Sequence, residues 1–551
     1  ITIEVEKVKE KDEFIVRKER EERRFSLPVV LKEWCEEIDN VSLETRMKIG
    51  KYLCRVIFGD EIPEEETIIN IASDDIEAHN LPWELLYSSR DEQFLLRMPG
   101  FHLYRSSIRD IPWLWEEIPA PLNMLAVLSL PLSITNEHPV SLLDEWENIY
   151  EILKPHEDKV RINPEERTSL RILREHFLRP GAYHILHFIG HGGSGGELLL
   201  EDEENPEEGI MVPPEKLVEI WGKKGIIFAF FNACKTGKGE SGIPSLLHLL
   251  HVKGEIPILL GYQGSIEDIR AKELAERFYS SIFREEEVSA WNILETVGDL
   301  RRIMDINEPW WMPVIYLPRG NPTFRIKSQK KEKRKKVLIT RELVPSGGTF
   351  IYRFGELRRL GDYIRSKDIR LIILYGMVGR GKSSLASYAA RFYTPLFNGV
   401  FIFSLSEEPD LTPLKLINRI LKSLGKKNVK DMEKGWEKIM EENFLLLIDD
   451  IDRIMDKDGR LPEEWNKLLD FITRSRWKGK CIITSTLDLE LPFAKPGDIF
   501  HTIKRMKIGP FSFNQGVLFL RKHGVPPDFS TLLFCRDTIG FHPLGMAILA
   551  E

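Results

Sequence analysis

Two residues able to act as nucleophile and base stand in matching surroundings. His191 follows the apolar run Tyr183 to Ile189 in YHILHFIGHGG, and Cys234 follows Ile226 to Phe231 in GIIFAFFNAC. They lie 43 residues apart. A thiol attacks well only as the thiolate, so it needs a base for its proton and N–H donors for the oxyanion that forms. His191 and Cys234 are the candidates for the base and the thiol. The backbone N–H groups of Gly192 and Cys234 are candidate oxyanion donors, and Gly192 and Gly193 leave room for a substrate. The competing reading is a buried strand-end cysteine beside an unrelated histidine. His187 falls inside the expected strand, on the face of Ile185 and Ile189, and reads as structural support.

A second chemistry stands further along. Gly376 to Ser383, GMVGRGKS, fits G-x-x-x-x-G-K-[ST]. Gly376, Gly379 and Gly381 let backbone N–H groups point at phosphate, Lys382 reaches the terminal phosphates, and Ser383 ligates magnesium with Ser384 next on the helix. Phe444 to Asp450, FLLLIDD, ends in two acids. Asp449 is expected to hold Mg2+ through water and Asp450 to polarise an attacking water. The alternative for both acids is a surface turn. ATP or ADP with Mg2+ is the cofactor set these residues imply.

The elements around both motifs alternate. Leu122 to Leu130 reads as a buried strand, Val140 to Leu153 as a helix, Val160 to Ile162 as a strand and Thr168 to Leu178 as a helix. Tyr183 to Ile189 and Ile226 to Phe231 are strands with the helix Pro214 to Trp221 between them. A right-handed crossover makes such strands parallel neighbours, so His191 and Cys234 emerge together at the carboxyl edge. Helix Ile243 to Leu250, strand Ile256 to Leu260, helices Asp268 to Phe283 and Ala290 to Met304, and strand Pro313 to Leu317 complete the set. The fold class is α/β, a parallel sheet covered on both faces. Upstream, Leu31 to Phe58 is helical in pattern, Thr67 to Ser73 is a strand, LPWELLY at Leu81 to Tyr87 is an apolar turn with one acid, and Pro112 to Pro121 is a connector.

Lys327 to Lys336, KSQKKEKRKK, marks a boundary. Such a run binds nucleic acid or, far more often, is a solvated spacer. Beyond it the second α/β unit has strands at Leu371 to Tyr375, Val400 to Ser404, Phe444 to Ile448 and Cys481 to Ser485. Its helices are Lys382 to Phe392, Pro413 to Leu424 and Glu463 to Thr473, and short helices follow from Phe513. The divisions expected are 1–120, a charged helical and strand segment; 121–320, the thiol domain; 321–345, the linker; 346–510, the phosphate-binding domain; and 511–551, the start of a helical lid.

Composition bounds the rest. The chain's 551 residues exceed one core. A net charge of -8 gives no pull toward nucleic acid or anionic membrane. The longest apolar runs are half a bilayer span, so no membrane helix is expected. Five scattered cysteines suit a reducing, cytoplasmic setting without disulfides. Both ends read as unfinished, starting at Ile1 and stopping inside a helix at Glu551.

HFIGHGG followed by FFNACKTG resembles the CHAT family of caspase-like peptidases. LPWELLY and WMPVIYLPRG, at Trp311 to Gly320, resemble its upstream segment and its terminal strand. The resemblance covers roughly residues 65 to 320. It implies a caspase-like α/β/α sandwich with His191 the general base and Cys234 the nucleophile, and it places the loop Gly261 to Asp268 beside the cleft. Asp268 there either accepts a basic side chain or caps the helix that begins with it. The second half, roughly 350 to 551, resembles the STAND class of signalling NTPases. Phe354-Gly355-Glu356 stands at its adenine-side motif and CIITST at its sensor strand, with Thr486 where that family often has an arginine. Gly540-Phe-His-Pro543-Leu544 resembles the proline motif that contacts the base, with His542 departing from the usual small or apolar residue.

Together these resemblances imply an NTP-regulated cysteine endopeptidase of bacterial defence or programmed death. Its partners would be a protein substrate, such as a pore-forming effector, other copies through the NTPase module, and a trigger sensed by a missing C-terminal region. The alternatives are a signalling scaffold that does not cut, and an NTPase that remodels nucleic acid or protein.

Overall fold

Alternating and continuous apolar runs build one eleven-stranded sheet in the first unit of the chain. The structure, a computed structural model, describes all residues except 9–12, 19–20, 37–40, 60–61, 64–65, 110, 112–116, 130, 132–141, 206–207, 235, 237–244, 266–267, 285–286, 321–322, 328–337, 340–352, 495–500 and 551. Two compact units divide it, Ile1–Glu332 and Lys333–Glu551. The basic run at the boundary lies almost wholly outside the described residues, as do parts of the Pro112 connector and the expected start of the helix at Val140.

The strands of the first sheet are β1 (Thr2–Lys7), β2 (Phe14–Lys18), β3 (Glu21–Phe25), β4 (Thr67–Ala72), β5 (Phe101–Ser106), β6 (Leu122–Leu128), β7 (Val160–Glu165), β8 (Ile185–Ile189), β9 (Phe228–Asn232), β10 (Ile258–Tyr262) and β11 (Pro313–Tyr316). Their order is β7-β6-β8-β9-β10-β11-β5-β4-β1-β2-β3. The sheet is mostly parallel, with β11 antiparallel to β10 and β2 antiparallel to both β1 and β3. Helix α1 is Leu142–Leu153. The β11 reversal has a simple cause. Two helices, α2 (Asp268–Arg284) and then Ala290–Ile303, separate β10 from β11, and each reverses the chain once.

The charged first segment pairs into this same sheet. Ile3 and Val5 on β1 and Phe14 and Val16 on β2 are buried while Glu4 and Ile15 between them and Arg17 beyond are not, a period-2 pattern that the surrounding Glu and Lys conceal. The helical pattern from Leu31 divides into Val29–Glu36 and Leu43–Phe58, the latter capped by Ser42, whose hydroxyl accepts from Thr45 N–H at 3.2 Å. Both faces of the sheet are covered. Leu186, Phe188, Ala229, Phe231 and Leu259 pack with Leu217, Trp221, Leu246 and Leu250 of the helices Pro214–Trp221 and Leu246–Val252. The opposite face, with His187, Phe230, Asn232 and Tyr262, lies under α1 and α2.

In the second unit β12 (Leu338–Ile339), β13 (Leu371–Tyr375), β14 (Gly399–Ser404), β15 (Phe444–Asp449), β16 (Lys480–Ser485) and β17 (Ile503–Lys507) take the order β12-β14-β15-β16-β13-β17, and every pairing is parallel. Helix α3 (Lys382–Phe392) follows β13 through the glycine loop. The sequence reading omitted β17 and the helix Met432–Ile439. The C-terminal helices Phe513–Lys522, Phe529–Ile539 and α4 (Pro543–Ala550) share a small core of Phe511, Phe519, Leu520, Cys535, Phe541 and Met546.

Candidate functional sites

Strand register brings the histidine and the cysteine together. β8 and β9 are parallel neighbours with Ile189 opposite Asn232, and Gly190 N–H donates to the Asn232 carbonyl at 3.3 Å. Two residues further on, His191 and Cys234 leave adjacent strand ends, whose spacing is about 4.8 Å. The loops touch backbone to backbone: a Cβ on Gly192 would overlap the Cys234 carbonyl oxygen and lie 3.4 Å from its nitrogen. The His191 loop is pinned by the strand Leu198–Glu201, with Leu199 N–H donating to the His191 carbonyl at 3.0 Å and Gly193 N–H to the Glu197 carbonyl at 2.9 Å. Beside Cys234, the Thr236 hydroxyl donates to the Ala233 carbonyl at 3.3 Å and accepts from Tyr262 N–H at 3.2 Å. Both His191 and Cys234 are half-buried.

Beneath the strand ends runs a buried polar chain. The Tyr279 hydroxyl of α2 donates to His187 Nδ1 at 2.8 Å, His187 Nε2 donates to Glu145 Oε1 at 3.3 Å, and Asn232 Nδ2 donates to the same oxygen at 2.5 Å. Both ring nitrogens of His187 are thus engaged below the strand ends. The chain holds Asn232, two residues before the thiol, against α1. Burial, reinforced by Glu145 and Cys234, pushes the Tyr262 phenol well above its ordinary value. Sequence reasoning did not single out Glu145, Asn232 or Tyr279. Asn232 stood inside the quoted FFNAC, but its partner lies 87 residues away.

The acid of LPWELLY also has a buried partner. Glu84 accepts from Arg105 Nη2 at 2.5 Å and Nε at 3.2 Å, and from Gln263 Nε2 at 3.0 Å. Gln263 Nε2 also reaches the Trp311 carbonyl at 2.6 Å. Gly261 and Tyr262, expected in a loop, are the last residues of β10, and this cluster anchors the segment that leaves the strand at Gln263. Asp268 is the first residue of α2, and its side chain lies outside the described residues.

In the second unit the phosphate-binding motif is a loop between β13 and α3 with three left-handed glycines, Gly376 (φ 148°), Gly379 (φ 75°) and Gly381 (φ 82°). Lys382 is buried, which lowers its ammonium, and its Nζ donates to the Met377 carbonyl at 3.1 Å. Ser384 follows Ser383 on α3, half-buried. Asp449 at the end of β15 accepts from the Thr484 hydroxyl at 2.5 Å and is hydrogen-bonded by Ser383. Burial raises the Asp449 carboxyl against those two bonds. Hydroxyl and carboxylate oxygens therefore adjoin at the start of α3, a donor pair of the hard kind that suits Mg2+. Asp450 is left-handed (φ 57°), its N–H donating to the Thr484 hydroxyl at 2.8 Å. Thr486 bonds Asp452 through both N–H and hydroxyl, each at 3.0 Å.

Pro543 opens α4, whose start rests on the loop: Leu544 N–H donates to the Gly379 carbonyl at 3.2 Å. Arg353, which the sequence reading missed, is buried just before Phe354 and donates to the Arg380 carbonyl at 2.9 Å and the Gly509 carbonyl at 3.0 Å.

Residues 60–290 match the CHAT domain family model. The CHAT match spans β4 to β10 and so includes His191 and Cys234. No curated protein shows a significant match to the chain. Among solved structures, a Walker-type ATPase of Pyrococcus abyssi is similar at 15% identity and TM-score 0.28, over 36% of this chain and 67% of that one. A STAND protein with a tetratricopeptide repeat sensor from Pyrococcus horikoshii is similar at 19% identity and TM-score 0.27, over 38% of this chain and 31% of that one. The Saccharomyces cerevisiae separase–securin complex is similar at 14% identity and TM-score 0.32, over 47% of this chain and 16% of that one. The chain thus spans less than a third of the STAND protein and of the separase chain it resembles. Among the described residues no helix is long and apolar enough to cross a membrane, and no group of three or more His, Cys, Asp or Glu is placed to hold a metal ion.

Proposed function

We propose that the first unit is a cysteine endopeptidase whose activity is set by nucleotide bound to the second. The observation that carries the first half is the β8–β9 register with Gly192 packed on Cys234, which brings base, nucleophile and candidate oxyanion donors to one edge. His191 takes the Cys234 proton, and the thiolate sulfur attacks the scissile carbonyl carbon. The N–H groups of Gly192 and Cys234 hold the oxyanion. His191 then returns its proton to the departing amine, and water activated by the same imidazole releases the acid from the thioester. In the CHAT resemblance the setting is bacterial defence or programmed death, with a protein as substrate.

In the second unit the loop N–H groups and Lys382 bind the phosphates of ATP or ADP, Ser383 and Asp449 hold Mg2+, Asp450 orients the attacking water, and Pro543 contacts the base. When bound, Mg2+ neutralises charge on the phosphate oxygens. The resemblance to STAND proteins motivates self-association through this unit as the means of control.

The test is mass spectrometry after treatment with a library of acyloxymethyl-ketone peptides, with and without ATP and magnesium. Labelling at Cys234 that rises with nucleotide, and is absent in Cys234→Ala, is the expected result. Labelling that persists elsewhere in Cys234→Ala with cleavage intact refutes the assignment, and no labelling under any condition favours a scaffold that does not cut.

A further inference from the structure

The phosphate-binding loop is gripped from outside at three successive peptides. His542 Nε2 donates to the Val378 carbonyl at 3.0 Å, Leu544 N–H to the Gly379 carbonyl at 3.2 Å, and Arg353 Nη2 to the Arg380 carbonyl at 2.9 Å. In a planar trans peptide the N–H points opposite to the C=O. Fixing these carbonyls toward α4 and Arg353 therefore turns the N–H groups of Gly379, Arg380 and Gly381 the other way. Successive N–H groups around a left-handed residue form an anion-binding nest, and Gly379 and Gly381 are both left-handed.

The fit between α4 and the loop is close. A Cβ on Gly379 would lie 2.7 Å from His542 Cε1 and 2.8 Å from Leu544 Cβ. The second imidazole nitrogen of His542, Nδ1, faces Gly545 N–H at 3.4 Å, which leaves the proton on Nε2 where the Val378 carbonyl accepts it. His542 is also the residue that departs from the pattern of the proline motif, so this grip is a property of this chain.

We propose that His542 is a positioning residue for phosphate binding, and that through it the C-terminal helices and the nucleotide stabilise each other. The proposal rests on the reading of this unit as nucleotide-binding. The imidazole acts through the Val378–Gly379 peptide: it holds the Gly379 N–H in the nest before a phosphate arrives, so less ordering remains to be done on binding. By linkage, a bound phosphate strengthens the docking of α4 by the same factor.

The experiment is titration of the full chain with N-methylanthraniloyl-ADP and magnesium, for wild type, His542→Ala and His542→Gln, with melting temperatures taken at zero and saturating ADP. Loss of one hydrogen bond from a preorganised site predicts Kd raised roughly two- to tenfold in His542→Ala. His542→Gln, whose amide N–H replaces the donor, restores most of the affinity. The ADP-induced rise in melting temperature shrinks in His542→Ala, while the ADP-free value moves little. An unchanged or lower Kd in His542→Ala, or equal weakening in both variants, overturns the proposal. Wild type that fails to bind the probe overturns the nucleotide reading as well, whereas wild-type binding with an unmoved alanine variant overturns only the role of His542.

Discussion

Replacing Glu84 by alanine is expected to destabilise the first unit by roughly 3–5 kcal/mol, the range for removing one partner of a buried ion pair. The structure places this case toward the upper end. Glu84 is 1% exposed and Arg105 is fully buried. Burial alone would lower the Arg105 guanidinium, and the Glu84 charge, with Tyr316, raises it above its ordinary value. Glu84 also faces a second buried cation: burial brings Arg301 down to about 10, with Glu84 opposing that fall and Arg105 adding to it. Without the carboxylate, two buried guanidinium groups face each other and Gln263 loses an acceptor.

The assay is urea denaturation followed by circular dichroism on the full chain, fitted as two transitions, since the two units need not unfold together. The second transition serves as the internal control. The double variant Glu84→Met with Arg105→Met removes both paired charges and is expected to recover part of the loss, since Arg301 still lacks the carboxylate and the His79 and Leu81 carbonyls lose their Arg105 donors. A loss below about 1 kcal/mol in Glu84→Ala, or a double variant as unstable as the single one, refutes the reasoning.

Gly192→Ala is expected to lower the rate of Cys234 labelling at least tenfold, because its Cβ meets the Cys234 backbone; Gly193→Ala meets only the movable ends of Glu197 and Met211 and should cost less. Comparing labelling rates decides it, and equal effects would mean the loops do not touch. Stability should fall below about pH 6.5. Burial holds His79 well below its ordinary value, His248 at about 4 and His251 at about 3, so each takes its proton more readily unfolded than folded. Arg105 and Lys253 oppose their charging and Asp74 favours it. Their contribution is whole above the unfolded value and is lost as pH drops toward the folded ones, by up to roughly 1.4 kcal/mol per pH unit for each histidine. A urea midpoint of the first transition that is flat from pH 7.5 to 5 would contradict this, and His251→Gln should flatten the slope.

What the sequence determined by itself is what short stretches dictate. Continuous apolar runs ending in His191 and Cys234 are buried parallel strands. The spacing in GMVGRGKS places three glycines at left-handed positions and Lys382 at a helix start. These depend on backbone conformation and on neighbours within a turn or a strand, so they survive reading one residue at a time.

Tertiary structure decided which distant groups satisfy each other. Glu145 reaches Asn232 across 87 residues, Gln263 reaches Glu84 across 179, and His542 reaches Val378 across 164. Nothing local marks those partners, because a buried polar atom needs a complementary one at about 3 Å and its identity is fixed only when helices dock on the sheet. The direction of β11 and the place of the charged N-terminal strands have the same origin. Period and burial pattern specify that a strand exists, while the number of intervening helices and the free edge of the sheet decide where it lies and which way it runs.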